Sequence, residues 1–320
     1  MRIAVSGSNG FVGTALCRRL EQLGHTILRL ERPQSNGAGS HRSDASQSKT
    51  SKSHISIAWD PMTGLLDPAA MEAVDAVVHL AGRSIASRRW TAAEKQRIRD
   101  SRVAATAKLV EQIGALERAP RVFVSASAVG FYGDGGDEIL TENSPVADSF
   151  LASVSADWEA ATWPLKDCGV RVCNARLGIV MDREGGALSK ALPIFRWCVG
   201  GRLGDGQQFW SWIALEDCIR ALIWLVNTET AQGPYNLVAP EPVTNQEFTQ
   251  WLGQSLGKPT WLPTPAFLLR LAMGEMADAL VLCSCRAIPQ RLQAEGFEFA
   301  WPRLQPFLNA QLGNASVETA

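Results

Sequence analysis

Three glycines near the start of the chain have the spacing of a dinucleotide-binding turn. They form a G-x-x-G-x-x-G motif between a short apolar, strand-like run and a stretch with apolar residues at helical spacing. In that setting the first glycine allows a tight turn, the second lets the backbone approach a pyrophosphate, and the third lets the helix pack against the strand. The helix N-terminus then offers free N–H groups and a positive dipole end to the phosphates. The residues expected at the dinucleotide are Gly7, Asn9, Gly10, Phe11, Val12 and Gly13.

The next strand-like run, 26–32, ends in one acidic and one basic residue, Glu31 and Arg32. The adenosine ribose of a cofactor lies beyond the end of this strand, where an acid favours a free 2′-hydroxyl and a base favours a 2′-phosphate. The sequence offers both, and a surface ion pair is the alternative interpretation. A third strand, 55–60, ends in Asp60, which either meets the adenine or begins a turn.

Two hydroxyl-bearing residues are candidates for catalysis. The apolar run 121–127 predicts a strand that leads into a glycine-rich loop, 128–136, and open α/β sheets bind ligands at the carboxyl edge of their strands. Ser127 begins this loop and is the candidate for polarising a carbonyl group, unless it bonds its own loop backbone. Tyr132 is a candidate proton donor, with packing as the alternative, because no cation near it in the sequence is obviously placed to activate it.

The elements that must position these residues alternate along the chain. Apolar strand-like runs are separated by stretches of helical periodicity, which predicts an α/β fold. We expect a Rossmann-type doubly wound parallel sheet with a smaller C-terminal α/β lobe. Further strands are expected at 76–82 and 170–180, and helices at 91–116 and 152–168.

The chain divides into three parts by this interpretation. Residues 1–180 form the dinucleotide-binding Rossmann domain, 181–310 a substrate and lid region interleaved with the sheet, and 311–320 a tail. Serine dominates 34–54 and large apolar residues are absent there, which predicts a mobile loop. Two amphipathic helices expected within 266–296 form the predicted lid.

Composition limits the class of partner. The 320 residues are 46% hydrophobic and carry a formal net charge of -1, so we expect no nucleic-acid partner and no membrane partner. No apolar stretch is long enough to span a bilayer and no signal peptide precedes the first strand, so we expect a cytoplasmic protein. The seven cysteines are scattered, and we expect no metal site. A small molecule is the expected substrate, and a protein partner or a homo-oligomer is left open.

These motifs together resemble a known family. The glycine motif, His-Leu-Ala-Gly at 79–82, Ser-Ala-Ser at 125–127 and Arg-Leu-Gly at 176–178 are similar to the extended short-chain dehydrogenases/reductases, in the nucleotide-sugar epimerase group. The resemblance narrows to an atypical, epimerase-like branch with a C-terminal domain of unknown function, often labelled sugar-nucleotide epimerase or cell division inhibitor. The segments that carry it are 88–90, 100–102, 125–134, 157–159, 200–207, 211–213, 233–237, 242–248 and 274–277.

The resemblance implies an NADP(H) cofactor, with NAD less favoured, under a closing C-terminal lobe. It implies that Glu31 and Arg32 flank the adenosine ribose, with Arg32 beside a 2′-phosphate. It also implies that the backbone of two residues after the fourth strand lines the cofactor. The further residues implied at the cofactor are Leu80, Ala81, Gly82, Arg102 and Arg176.

The same resemblance shows that two catalytic residues of the larger superfamily are missing from this chain. The larger superfamily uses a tyrosine as its acid and base, and a lysine four residues later lowers the pKa of that phenol. Counted from Glu159, these two positions hold Leu151 and Ser155, and the chain has no Tyr-x-x-x-Lys pair. The standard mechanism of the superfamily therefore cannot operate.

Two hypotheses are compatible with these residues. The first is an NADP(H)-dependent oxidoreductase or epimerase with non-standard acid–base groups, acting on an unidentified substrate of which nucleotide sugars are one class. The second is a non-catalytic regulator that binds NADP(H) and acts through a protein partner, which the family label would place in cell or plastid division. The complete set of cofactor-binding residues favours the first.

Overall fold

The computed structural model describes residues 1–32 and 55–313, so the loop predicted at 34–54 lies outside the described residues. The strands, in chain order, are β1 Arg2–Ser6, β2 Thr26–Glu31, β3 Ile55–Ala58, β4 Ala76–His79, β5 Val122–Ala128, β6 Ile139–Leu140, β7 Arg171–Leu177, β8 Ile179–Met181, β9 Phe209–Trp210, β10 Trp212–Ala214, β11 Gly233–Leu237, β12 Val243–Thr244 and β13 Arg286–Ala287. The helices are α1 Phe11–Gln22, α2 Pro68–Met71, α3 Ala92–Asp100, α4 Val103–Gly114, α5 Phe150–Ala160, α6 Pro164–Asp167, α7 Gly186–Arg196, α8 Leu215–Asn227, α9 Asn245–Leu256, α10 Ala266–Met273, α11 Glu275–Leu280, α12 Gln290–Ala294 and α13 Leu304–Leu312.

Seven parallel strands form the main sheet, in the order β11-β7-β5-β4-β1-β2-β3. Strand β1 shows how the sequence covers both faces of this sheet. Ile3 and Val5 join the apolar cluster that includes residues of α1 and α8, whereas Ala4 joins the cluster that includes residues of α4, because side chains alternate along a strand. The strand order reverses between β1 and β4, which confirms the predicted doubly wound fold.

The predicted sixth strand breaks at Gly178, and its second half leaves the main sheet. A Cβ on Gly178 would lie 2.5 Å from the Ser211 carbonyl oxygen, so the close approach of the two segments requires glycine. After the break, β8 pairs with β10, which begins at Trp212, instead of continuing the main sheet. The carboxyl edge of the sheet thereby leads directly into the smaller lobe.

The C-terminal lobe combines short strand pairs with helices. Strand β9 pairs with β12 and β6 with β13, and α7, α9 and α13 contribute to one apolar cluster. Helix α9 begins with a capping box, in which the Thr244 hydroxyl accepts from the Glu247 amide and the Glu247 carboxylate accepts from the Thr244 amide. Helix α13 runs across position 311, where the tail was predicted to begin, and residues 314–320 lie outside the described part.

Candidate functional site

The glycine turn is packed so tightly that larger residues would not fit. Gly7 has a φ of +69°, and a Cβ there would lie 2.8 Å from the backbone of Leu80. A Cβ on Gly13 would lie 2.1 Å from the Gly7 carbonyl oxygen. A Cβ on Gly10 would have a single described protein atom within 4 Å, the Gly7 carbonyl oxygen at 3.2 Å. The turn therefore lies against β4 on one side and presents its backbone to a cleft at Gly10.

This cleft has a volume of about 860 Å³ and contains unpaired polar atoms suited to a dinucleotide. The Ser8 hydroxyl and the Trp59 indole N–H are buried and have no hydrogen-bond partner among the described residues, and both residues line the cleft. No side chain caps the N-terminus of α1, so its first-turn amides, beginning at Phe11 and Val12, lack internal acceptors. The Phe11 ring itself packs against Gly185. The residues present therefore fit a phosphate-bearing ligand, which would satisfy these donors.

The far end of the cleft carries the two charges expected beside the adenosine ribose. Glu31 and Arg32 both line it. The Glu31 carboxylate accepts hydrogen bonds from Asn9 Nδ2 at 3.2 Å and from Ser56 Oγ at 2.8 Å. Both carboxylate oxygens thus already have a protein donor. Asp60 begins a turn, accepting from the Met62 amide at 2.8 Å, which decides between the two interpretations of that residue.

A second cavity, of about 420 Å³, adjoins the cleft and shares Leu80 and Gly82 with it. Most of its wall is apolar, from β5, α5, the segment after β7 and α11. The polar or titratable side chains on the wall are Arg102, Ser127, Ser155, Trp158, Trp210, Ser211, Cys283 and Cys285. Burial raises the pKa of the Cys283 thiol to about 12 and that of the Cys285 thiol to about 11, so neither sulfur is a thiolate near neutral pH.

Arg102 is the cation in this cavity. The helix predicted at 91–116 is in fact two helices, and the break between α3 and α4 lies at Ser101 and Arg102. The guanidinium stacks on the Trp158 ring, 5.2 Å from its centroid, and donates to the Ile98 carbonyl oxygen at 3.3 Å. It pairs with no carboxylate among the described residues, and burial lowers its pKa to about 10. A half-buried cation without a counter-charge is costly, so this position favours an anionic ligand.

Ser127 opens a chain of buried polar groups that begins at the cavity wall. Its hydroxyl donates to Glu159 Oε1 at 2.7 Å. Arg176 donates to the same carboxylate through Nε at 2.7 Å and through Nη2 at 2.9 Å. All three residues are at least nine-tenths buried, and the two-bond geometry is the strong form of an arginine–carboxylate pair. Arg176 thus lies behind Ser127, and it lines neither the cleft nor the cavity.

Tyr132 belongs to the same buried network. Its hydroxyl accepts from Arg176 Nη1 at 2.8 Å and donates to Asn236 Oδ1 at 2.7 Å. Its side chain is 3% exposed and is absent from the cavity wall. Burial raises the pKa of the phenol to about 12, although the neighbouring Arg176 charge opposes that rise. The cation that the sequence did not reveal is therefore present, and it binds both Tyr132 and Glu159.

Glu159 is the residue that the sequence reasoning overlooked. In the sequence, Glu159 was used only to locate the positions of the missing tyrosine and lysine. In the structure, its carboxylate accepts the hydrogen bond from the Ser127 hydroxyl. A signal was available: Leu151, Ser155 and Glu159 are spaced by four residues, which puts them on one helix face. Leu151 and Ser155 do line the cavity, so the helix face that would carry the tyrosine and lysine is the one that faces the cavity.

His79 supports the site from within the core. It is fully buried, with Nδ1 at 2.7 Å from Ser6 Oγ and Nε2 at 2.9 Å from Thr106 Oγ1. The Trp158 indole donates to Thr106 Oγ1 at 2.9 Å. Burial lowers the pKa of His79 to about 4, so the imidazole is neutral near pH 7. The network holds Trp158, and through it the stacked Arg102 guanidinium.

The predicted lid contributes to the cavity through α11. Ala279 and Leu280 lie on the cavity wall. At the start of the same helix, Glu275 pairs with Lys95 of α3 at 2.6 Å, and its side chain is 52% exposed. Glu275 therefore joins the helix pair to the Rossmann domain and does not line the cavity.

Comparison with known proteins finds relatives along nearly the whole chain. The family model described as NAD dependent epimerase/dehydratase family matches residues 3–238, and a domain of unknown function, DUF1731, matches 264–311. The epimerase family protein ML0860 of Mycobacterium leprae is 39% identical over 297 residues, 93% of this chain and 91% of that protein. The chloroplastic SDR39U1 homolog of Arabidopsis thaliana is 36% identical over 313 residues, 97% of this chain and 86% of that protein.

A solved structure is similar over the same span. The crystal structure of the human epimerase family protein SDR39U1 (isoform2) with NADPH has a TM-score of 0.83 and 29% sequence identity, and the match covers 98% of this chain and 100% of that one. Within the part of the chain that the structure describes, no helix is long and apolar enough to cross a bilayer.

Proposed function

Because this chain belongs to the NAD dependent epimerase/dehydratase family, as the resemblance of its motifs predicts, we propose that it is an NADP(H)-dependent oxidoreductase or epimerase. Its substrate is a small molecule with an alcohol or carbonyl group, and nucleotide sugars are the first class to test. The observation that carries this proposal is the Ser127–Glu159 hydrogen bond of 2.7 Å, which opens onto a cavity that adjoins the dinucleotide cleft.

The cofactor assignment rests on the cleft and on the relatives. The Gly7–Gly13 turn and the uncapped N-terminus of α1 bind the pyrophosphate, with the Ser8 hydroxyl as a further donor. Arg32 lines the ribose end of the cleft, where it pairs with a 2′-phosphate. Glu31 favours NAD less than its charge suggests, because Asn9 and Ser56 already donate to its oxygens. The human relative, described with NADPH, supports the same choice.

Ser127 and Glu159 take the place of the missing acid–base pair. When bound, the nicotinamide supplies reversible two-electron oxidation and reduction. Because the Ser127 hydroxyl donates to Glu159, its lone pairs are free to accept a proton from a substrate hydroxyl in the cavity. As that proton reaches Ser127 Oγ, the serine's own proton passes to Glu159 Oε1. In the reductive direction the same two protons move back, and the substrate oxygen receives one.

The surrounding groups position this pair and the substrate. Arg176 holds the Glu159 carboxylate with two hydrogen bonds, and its Nη1 donates to the Tyr132 hydroxyl and to the Glu142 carbonyl oxygen. Tyr132 is thus a positioning residue in this proposal. Arg102, at the junction of cavity and cleft, binds an anionic group of the cofactor or the substrate. We also propose a cytoplasmic location.

A regulator that binds NADP(H) without turnover is the second candidate. One observation favours it: the described residues on the cavity wall include no tyrosine, lysine, histidine or carboxylate. The serine hydroxyls and the two thiols on this wall are weak acids and bases near neutral pH. In this case the bound cofactor would order the site, and a protein partner would recognise the ordered conformation.

Two measurements on the purified protein separate these outcomes. Fluorescence titration with NADPH and NADH tests cofactor binding first. Turnover with NADPH and a carbonyl panel that includes nucleotide sugars tests the reaction, with Ser127→Ala as the variant and Ser125→Ala as the control, because Ser125 lies on the same strand but is not on the cavity wall. Binding with turnover that Ser127→Ala removes supports the enzyme. Binding without any turnover supports the regulator, and failure to bind either dinucleotide contradicts both.

A further inference from the structure

An extensive apolar surface lies on the C-terminal lobe, outside the cavity and the cleft. We call it the apolar face. Trp197 is 80% exposed, Trp261 77% and Leu271 74%, which is unusual for such large apolar side chains. The side chains that form it are Ile194, Trp197, Val199, Trp261, Leu262, Phe267, Leu268 and Leu271. At about 150–250 Å² for a large side chain, their exposed fractions correspond to roughly 800 Å², more than the largest patch of roughly 300–600 Å² on a typical monomer.

Two segments bring these side chains together. Gly201 forms a bridge with Trp261, and a Cβ on Gly201 would overlap the Leu262 carbonyl oxygen. Helix α7 ends a few residues before this crossing, and α10 begins a few residues after it. Cys198, with a φ of +59°, ends α7 in the left-handed region. Helix α10 has no buried residue at all, so its apolar sequence is not explained by packing within the described chain.

Basic residues predominate in the two segments that carry the apolar face, although Asp278 pairs with one of them. Acidic residues number 32 in the chain of 320, yet segments 186–204 and 257–274 contain none. The same two segments contain the basic residues Lys190, Arg196, Arg202, Lys258 and Arg270. Arg270 pairs with Asp278 at 2.9 Å, and the other four form no ion pair with a described residue. The net charge of -1 thus conceals a local cationic surface.

A small polar pocket adjoins the apolar face. Trp261 and Arg202 line it together with Gln246 and Gln250. Thr249 also lines it, and its hydroxyl oxygen is buried with no hydrogen-bond partner in the described part of the chain. A guanidinium, two amides and a free hydroxyl beside an exposed indole are suited to a phosphate ester whose apolar part continues across the face.

We propose that the apolar face docks on the surface of a membrane that contains anionic phospholipids. Tryptophan, phenylalanine and leucine next to an excess of lysine and arginine, with the Asp278 carboxylate paired to Arg270, match the composition of interfacial membrane-binding surfaces. Self-association through this face is disfavoured. In such a dimer, the four basic side chains that pair with no described residue would face the same four side chains of the second copy. The mode is peripheral: α10 is eight residues long, too short to span a bilayer. The expectation of no membrane partner was based on the net charge of the whole chain. That value does not show that basic residues are concentrated beside the apolar face.

Vesicle flotation of the full chain tests this proposal. The vesicles contain phosphatidylcholine alone or phosphatidylcholine mixed with phosphatidylglycerol, each at low and at high salt. The test variants are Trp197→Ser with Trp261→Ser, and Arg196→Glu with Arg202→Glu. The controls are Trp163→Ser, which removes an indole 59% exposed outside the face, and Arg18→Glu with Arg118→Glu, which make the same charge change elsewhere. All of these positions are exposed, so circular dichroism should show unchanged folding.

The proposal expects binding to the anionic vesicles that weakens with salt, because it depends on charge. Each test pair should lower the partition coefficient by about tenfold or more, while both controls bind as the unmodified chain does. Absence of vesicle binding at low salt, or equal binding by test and control variants, would overturn the proposal. A dimer in sedimentation that Trp197→Ser with Trp261→Ser dissociates, without vesicle binding, would instead assign the face to a second copy.

Discussion

The Ser127 hydroxyl donates to the Glu159 carboxylate at 2.7 Å, joining the end of β5 to the face of α5 on which the superfamily carries its tyrosine and lysine. Ser127 is on the cavity wall and Glu159 is buried behind it. In the proposed reaction, this pair is the proton path between the cavity and a carboxylate that is not on the cavity wall.

Removing the Ser127 hydroxyl should abolish most of the turnover and leave cofactor binding intact. General acid–base groups contribute about 10²–10⁴-fold to rate, and we expect a loss of that order in kcat for Ser127→Ala. Stopped-flow or steady-state kinetics with NADPH measure it, beside a fluorescence titration for the dissociation constant of NADPH. Equal activity in Ser127→Ala and Ser125→Ala would remove Ser127 from the mechanism.

Breaking the Glu159–Arg176 pair should destabilise the fold strongly. Glu159→Gln leaves a buried guanidinium, 4% exposed, without its counter-charge, and loss of one partner of a buried pair costs about 3–5 kcal/mol. Urea unfolding measures the change in the free energy of unfolding. The matched control is Asp278→Asn, which breaks the exposed pair with Arg270 and should cause little change. Similar effects in the two variants would contradict the buried role of Glu159.

Arg102→Met should weaken NADPH binding while stabilising the cofactor-free protein. The substitution removes a half-buried cation that has no carboxylate partner in the described chain, and its pKa of about 10 corresponds to a burial penalty of at most about 3 kcal/mol, which solvent screening reduces. Loss of a charge-assisted hydrogen bond of about 1.5–3 kcal/mol should raise the dissociation constant of NADPH about 10–150-fold. Urea unfolding and fluorescence titration report the two effects separately. A variant that is less stable and binds NADPH normally would contradict both expectations.

Arg32→Ala should distinguish the two dinucleotides. If Arg32 binds the 2′-phosphate, the variant loses one charge-assisted interaction with NADPH, about 10–150-fold in affinity, whereas the affinity for NADH stays the same. Calorimetric titration with each dinucleotide measures the difference. A parallel loss for NADPH and NADH would show that Arg32 acts on the shape of the cleft and not on the phosphate.

His79 should make stability fall at acid pH. Burial lowers its pKa from 6.5 to about 4 in the folded protein, so below pH 6.5 the unfolded chain binds the proton more readily. The free energy of unfolding contributed by neutral His79 is therefore fully present above pH 6.5 and is lost as the pH falls toward 4, by about 3 kcal/mol in total. Urea unfolding at several pH values measures this slope, and His79→Gln should flatten it. The surface variant His25→Gln should retain most of it, and an unchanged slope in His79→Gln would contradict the assignment.

Local signals in the chain were sufficient for the fold and for the dinucleotide turn. The strand–glycine–helix order around Gly7 and Gly13 specifies a turn that only small residues can form, and alternating strand and helix periodicity specifies a doubly wound sheet. The break of the helix expected at 91–116 was missed, because helical propensity continues through Ser101 and Arg102. It is burial of the guanidinium against Trp158 that turns Arg102 inward.

The sequence by itself determined the class of fold, the glycine turn and the absence of the Tyr-x-x-x-Lys pair, because each depends on residues close together in the chain. Only the tertiary structure brought Ser127, Glu159 and Arg176 into contact across separations of 32 and 17 residues. It also gathered Trp197 and Trp261 with unpaired cations on one surface. Contacts of this kind depend on how the sheet edge and the lobe pack, and the spacing of residues along the chain does not contain that information.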